Sequence, residues 1–149
     1  MKSEPKNNYL KYWRVIRYFC KAKYNLSTSQ LDMLFFLYSE EYFSRDKFKE
    51  FNKLLSWNEH RFNNLKKEGW IETFRKKDGK LKALYGLSYK AQRAITSIYK
   101  KLNGMPMPVS DFKNPVFLKR NVPYSHHLYQ DMILKMNESI KQQQHRSLE

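Results

Sequence analysis

The chain has 149 residues, 41% of them hydrophobic and many aromatic (11 Tyr, 10 Phe, 3 Trp), with 29 Lys and Arg against 14 Asp and Glu, a formal net charge of +15. That length and apolar content suit one domain with its own core and exclude a disordered tail, and the charge favours polyanions as partners: nucleic acid, an anionic membrane surface or an acidic protein. No apolar run approaches the roughly 20 residues that span a bilayer, the opening Met-Lys-Ser-Glu-Pro-Lys-Asn-Asn lacks the apolar centre of a signal peptide, and the single cysteine, Cys20, cannot form an internal disulfide, so a cytoplasmic, nucleoid-associated location is expected.

From Asn8 to Lys23, Tyr12, Val15, Ile16 and Phe19 recur at helical spacing, and Lys11, Arg14, Arg17 and Lys21 form a second, basic stripe. The pattern predicts an amphipathic helix over 8–23. Ser27-Thr28-Ser29-Gln30 matches a capping box and opens a helix apolar nearly all round from Leu31 to Tyr38. Ser44 is the expected cap of a short third helix, with Phe48, Phe51 and Leu55 inward.

Ser56-Trp57-Asn58-Glu59 is a second capping box, and Gly69 is placed to close the helix behind it in the left-handed conformation. Phe62 and Leu65 mark the buried side of that helix. Trp70 to Lys76 and Leu81 to Leu87 read as strands joined at Asp78-Gly79, a strong hairpin signal. Ser88 caps a helix with Ala91, Ala94, Ile95, Ile98 and Leu102 inward, stopped by Asn103-Gly104. Residues 105–124 carry four of the five prolines and read as an extended arm. A last helix over 125–143 aligns Tyr129, Met132, Ile133, Met136 and Ile140 on one face.

This order predicts a mainly α chain with a small β-hairpin wing, a winged helix-turn-helix core over 8–104 with additional N- and C-terminal helices. In such a core the capped fourth helix is short enough to enter a DNA major groove, about 12 Å wide, and the hairpin reaches along the backbone.

Three segments resemble the MarR (multiple antibiotic resistance regulator) family. Leu26-Ser27-Thr28-Ser29-Gln30-Leu31-Asp32-Met33-Leu34 is similar to its second-helix opening, and Leu65-Lys66-Lys67-Glu68-Gly69-Trp70-Ile71-Glu72 to its passage from recognition helix to wing. Leu87-Ser88-Tyr89-Lys90-Ala91 is similar to its helix start after the wing. The resemblance covers roughly residues 26–102. It implies a homodimer held by the terminal helices, two recognition helices on a pseudo-palindromic site, and in many members a small aromatic effector; the identity of any effector here stays open. Where the family often carries Asp-x-Arg on the wing, this chain has Asp78-Gly79-Lys80. Lysine lacks arginine's planar fork and is more strongly hydrated, which weakens the case for minor-groove reading.

Opposite Phe62 and Leu65 lie His60, Asn63, Asn64 and Lys67, with Trp57 and Asn58 at the start of the helix and Arg61 toward its flank. Asparagine can pair bidentately with adenine, and His, Lys and Arg can reach guanine acceptors or phosphate; the alternative is a solvated polar face. On the wing, Arg75, Lys76, Lys77, Lys80 and Lys82 outnumber the one acid, Asp78, and phosphate contact is expected. Tyr12, Ile16 and Phe19, together with Tyr129, Met132, Ile133, Met136 and Ile140, are the expected dimer contacts, since the C-terminal stripe has no assigned partner in the winged core.

Adjacent His126 and His127 point in different directions on a helix and lack acidic or Cys partners at ligand spacing, so no metal is expected. Cys20 beside Phe19 reads as a packing residue rather than a redox sensor. With no Gly-rich phosphate loop, no Gly-x-Ser-x-Gly and no carboxylate pair beside a His, no enzyme activity or cofactor is expected. The leading expectation is therefore a sequence-specific duplex-DNA-binding transcriptional regulator, a repressor more than an activator. The alternatives are a winged-helix DNA protein with a replication or architectural role in a phage or mobile element, or a protein-interaction module.

Overall fold

The computed structural model describes residues 8–55, 59–119 and 122–147. The described elements are helices α1 (Tyr9–Tyr24), α2 (Thr28–Tyr38), α3 (Arg45–Leu55) and α4 (Glu59–Lys67), strands β1 (Ile71–Arg75) and β2 (Leu84–Leu87), helices α5 (Tyr89–Leu102) and α6 (Tyr124–Ser147), and a 3-10 turn at Pro115–Phe117 between the last two. They fall into two units, one of residues 27–96 and one of residues 1–26 with 97–149. Among the described residues no helix is long and apolar enough to cross a membrane.

The unit of residues 27–96 is a winged helix-turn-helix. Its first helix starts at the expected capping box: the Gln30 amide donates to Ser27 Oγ at 3.1 Å and the Ser27 amide donates back to Gln30 Oε1 at 2.8 Å. Leu31, Met33, Leu34 and Leu37 of α2 are buried. Phe43, between α2 and α3, forms a single-residue bridge to the sheet, exchanging both backbone hydrogen bonds with Tyr85. Helix α3 follows at once, and its Phe48 is buried edge-on to Phe62 of α4, whose ring in turn meets Tyr85 edge-on at 5.0 Å. This chain of aromatic rings fixes α4 to the sheet; each such pair adds about 0.5–1.5 kcal/mol beyond burial. Phe51, expected inward, is only half-buried and stacks on Phe36.

Gly69 closes α4 at φ +83°, the left-handed region a side chain rarely enters. The Trp70 amide donates to the Leu65 carbonyl and the Gly69 amide to the Lys66 carbonyl, the paired bonds of a Schellman motif. Lys90 reinforces this end, its ammonium 4.0 Å from the Trp70 ring centre and bonded to the Glu68 carbonyl. Strands β1 and β2 pair antiparallel with Ile71 opposite Leu87, and the register shifts between Thr73 and Arg75. The ladder is shorter than the sequence suggests, since β2 begins at Leu84 rather than Leu81. Leu81 and Lys82 are exposed, with no covered face to fix them in a strand. The tip is nonetheless the expected tight turn, with Asp78 and Leu81 exchanging backbone hydrogen bonds around Gly79-Lys80. Only Gly79 of these two has positive φ, at 58°, the pattern of a type II′ rather than a type I′ turn.

The second unit joins α1, the end of α5, the segment behind it and α6. Helix α1 buries Tyr12, Val15, Ile16, Phe19 and Cys20. Helix α6 runs to Ser147, past the expected end at 143, and packs against α1 and the 3-10 turn. Tyr18 of α1 stacks on Tyr129 at 3.7 Å and shares a 2.7 Å hydrogen bond with Ser125. The proline-bearing segment is held in place by α6. Asn137 both accepts from the Met107 amide and donates to its carbonyl, and Gln130 donates to the Val116 carbonyl. Buried Asn114 donates to Pro108 and accepts from the Val116 amide, so its amide is matched on both sides.

Candidate nucleic-acid interface

Helix α4 buries Phe62 and Leu65 and leaves His60, Asn63, Asn64 and Lys67 exposed, with Arg61 half-buried. The 3.6-residue period made this division legible. Trp57 and Asn58, and with Ser56 the second capping box, lie outside the described residues. The exposed side chains are not equivalent. Arg45, in the first turn of α3, lays its guanidinium over the Phe62 ring, 4.8 Å from its centre, and donates from Nη2 to Asn63 Oδ1 at 3.1 Å. Asn64 has no such neighbour among the described residues, so both halves of its amide are available.

The wing divides in the same way. Lys82 forms an ion pair with Asp46, also in the first turn of α3. The ammonium holds the Asp46 carboxyl below its ordinary range, through its hydrogen bond first and its charge second. Arg75 donates from Nη2 to the Lys82 carbonyl at 2.9 Å, which ties the two sides of the hairpin together. Lys76, Lys77 and Lys80 are exposed and have no acidic partner among the described residues. Of the five basic wing residues, these three are the ones whose charge is fully available. Adjacent residues of α3, Arg45 and Asp46, thus touch the exposed helix and the wing respectively. Sequence reasoning missed both. They lie 18 and 36 residues from their partners, and no local spacing rule connects them.

On the sheet's other face Tyr42 stacks on Phe74 at 4.0 Å, both partly exposed. Gly86 lies beneath Tyr42 on that face.

The side chains expected between two copies are placed otherwise. Tyr12, Ile16, Phe19, Ile133, Met136 and Ile140 are all buried by the chain itself, and Tyr129 and Met132 are half-buried. The outward apolar residues of that unit are different ones, led by Phe112 at 92% and Leu10 at 87% exposure, with Tyr124, Leu128 and Leu134. Cys20 is buried, and burial pushes its thiol up to about 12 despite the opposing charges of Lys101 and Lys23. Lys101 is only 5% exposed, bonded to Ser97 and lying over Phe19. Burial lowers its pKa. His126 is half-buried edge-on to Tyr18, and burial, then His127, lower its pKa.

No protein-family model matches the chain. No curated protein matches it. Among solved structures it is similar to RV1404 from Mycobacterium tuberculosis, at 10% identity over 87% of this chain and 84% of that one, with a TM-score of 0.49. It is similar to disulfide-formed AbfR at 13% identity, 90% and 84% coverage and a TM-score of 0.43. It is also similar to reduced AbfR bound to DNA at 14% identity, 94% and 83% coverage and a TM-score of 0.42.

Proposed function

We propose that the protein binds duplex DNA in a sequence-dependent way and regulates transcription, as a repressor and as a homodimer. The observation that carries this reading is the division of labour on the winged unit. Helix α4 exposes His60, Asn63, Asn64 and Lys67 beside a hairpin whose Lys76, Lys77 and Lys80 are unneutralised among the described residues. Amide and imidazole groups on a short exposed helix suit base edges in a major groove, and free lysines on a wing suit phosphates. A repressor needs only to occupy its site, so binding suffices and no catalytic group is required. The three MarR-like segments support membership of that family, with the wing Lys80 as a departure from its Asp-x-Arg pattern. The exposed apolar residues of the second unit, Phe112 and Leu10 foremost, support association of two copies there.

Selection of bound sequences from a random duplex pool tests the reading. A pseudo-palindromic preferred site is expected. Four phosphate contacts per protomer, eight per dimer, give a log–log salt slope of about −7. Binding that depends on duplex length without any preferred sequence would replace the regulator by an architectural DNA protein, and a slope shallower than about −2 would remove duplex DNA as the main partner.

A further inference from the structure

Asn63 and Asn64 are neighbours on one exposed helix face, yet their chemistry differs. Arginine only donates hydrogen bonds, so the atom of Asn63 that meets Arg45 is its carbonyl oxygen, 3.1 Å from Nη2. The NH2 group of Asn63 is the half left wholly free for a ligand, while its oxygen keeps one lone pair beside a cation. The same guanidinium is pinned over Phe62, whose ring is buried between Phe48 and Tyr85. Arg45 is itself exposed, so its other N–H groups are open to a ligand. Two residues from different helices therefore present mainly donors, with a positive charge among them.

We propose that Arg45 and Asn63 act as one donor-rich reading unit that selects a guanine edge, while Asn64 remains free to pair with adenine. The inference rests on the sequence-reading role of α4 proposed above. Guanine offers two acceptors in the major groove, N7 and O6; adenine offers one acceptor and one N–H donor. The bidentate asparagine–adenine contact needs an open amide oxygen beside an open amide nitrogen. At Asn63 a guanidinium stands at that oxygen and would face the adenine amino group donor to donor. Arg45 is a specificity residue here although it lies on the supporting helix.

The test selects sites from a random duplex pool with the wild type, Asn63→Ala, Arg45→Met and Asn64→Ala, then measures binding to the wild-type site with one guanine at a time replaced by 7-deazaguanine. Expected is one guanine per half-site whose preference is relaxed by Asn63→Ala and by Arg45→Met alike, with about tenfold weaker binding to that site. The double variant should lose little more than either single one, and Asn64→Ala should relax a different position. Removing N7 of that guanine should weaken the wild type about tenfold and leave Asn63→Ala unaffected. The modified DNA requires no variant, so a folding defect in Arg45→Met does not blunt the test. If Asn63→Ala relaxes an adenine, relaxes a position untouched by Arg45→Met, or weakens all sequences equally, this inference falls and the regulator reading stands. If the wild type selects no sequence at all, both fall.

Discussion

Among single residues, contact with neighbours matters more than position on a face. Asn64 is exposed with its whole amide available, so Asn64→Ala should cost about 1–3 kcal/mol on the preferred site and relax one base position. Titration of specific and scrambled duplexes at one salt concentration checks this, and equal losses on both would deny Asn64 a reading role. Cys20 is the converse case. With its thiol up at about 12, the reactive thiolate is scarce at neutral pH, and native protein should react with a thiol reagent far more slowly than unfolded protein. The sign for stability follows. The folded thiol holds its proton to higher pH than the unfolded one, so its contribution is complete below about pH 9 and is lost as pH rises toward 12. Comparing wild type with Cys20→Ala by thermal scans from pH 8 to 10.5 should show the steeper alkaline loss in the wild type. Lys101 carries a cation into the same apolar region without an acidic partner among the described residues, and burial lowers its pKa. Lys101→Met keeps the packed stem and removes the buried charge, so it should stabilise by about 1 kcal/mol, read as a raised urea midpoint at unchanged slope.

Helix termini and the hairpin decide how α4 and the wing are presented. Gly69 ends α4 with φ +83° and open space around the position of a Cβ. Gly69→Ala therefore meets no clash, only backbone strain, and should destabilise by about 1–2 kcal/mol. Gly86 has ordinary φ, and a Cβ there would sit 3.6 Å from the Tyr42 ring, a normal contact, so Gly86→Ala should be tolerated. The wing's charge is governed from α3. Asp46 neutralises Lys82 on an exposed surface where such a pair adds little to stability. Asp46→Asn should leave the melting temperature unchanged yet strengthen DNA binding at low salt. It should also steepen the log–log salt slope by about one unit per protomer as Lys82 becomes available. Lys77→Ala and Lys80→Ala should do the reverse, weakening all sequences alike and flattening the slope by about one unit each.

For the whole molecule the central quantities are net charge and self-association. The charge of +15 speeds encounter with a polyanion and opposes the meeting of two copies, so a dimer must bury enough apolar surface to overcome that repulsion. The stripe of Ile133, Met136 and Ile140 is covered by the chain itself. Ile133→Ala should accordingly behave as a core truncation, costing about 2–5 kcal/mol whatever the protein concentration. The outward residues are where association should respond. Leu10→Glu and Phe112→Glu should shift a dimer to monomers in light scattering while leaving the melting temperature of the monomer intact, and a wild type that is monomeric at micromolar concentration would remove the dimer.

The sequence by itself determined the kinds and order of the elements, because the signals are local. A capping box at Ser27 and Gln30, a glycine at 69 and another at 104 with φ of +83° and +103°, and Asp78-Gly79 at a turn each act through backbone geometry within a few residues. Hydrophobic period likewise told which face of α4 and of α6 is covered. It could not tell by what: the α6 stripe looked partnerless, and the protein supplies the cover from α1 and the turn at Pro115–Phe117. Nor does any local signal announce that Phe43, between α2 and α3, bridges to Tyr85. Only tertiary structure decided that Asn63 and Lys82 are engaged while, among the described residues, Asn64 and Lys80 have no such partner. Hydrogen bonds and ion pairs between elements depend on distances in space, and a period along one chain segment carries no record of them.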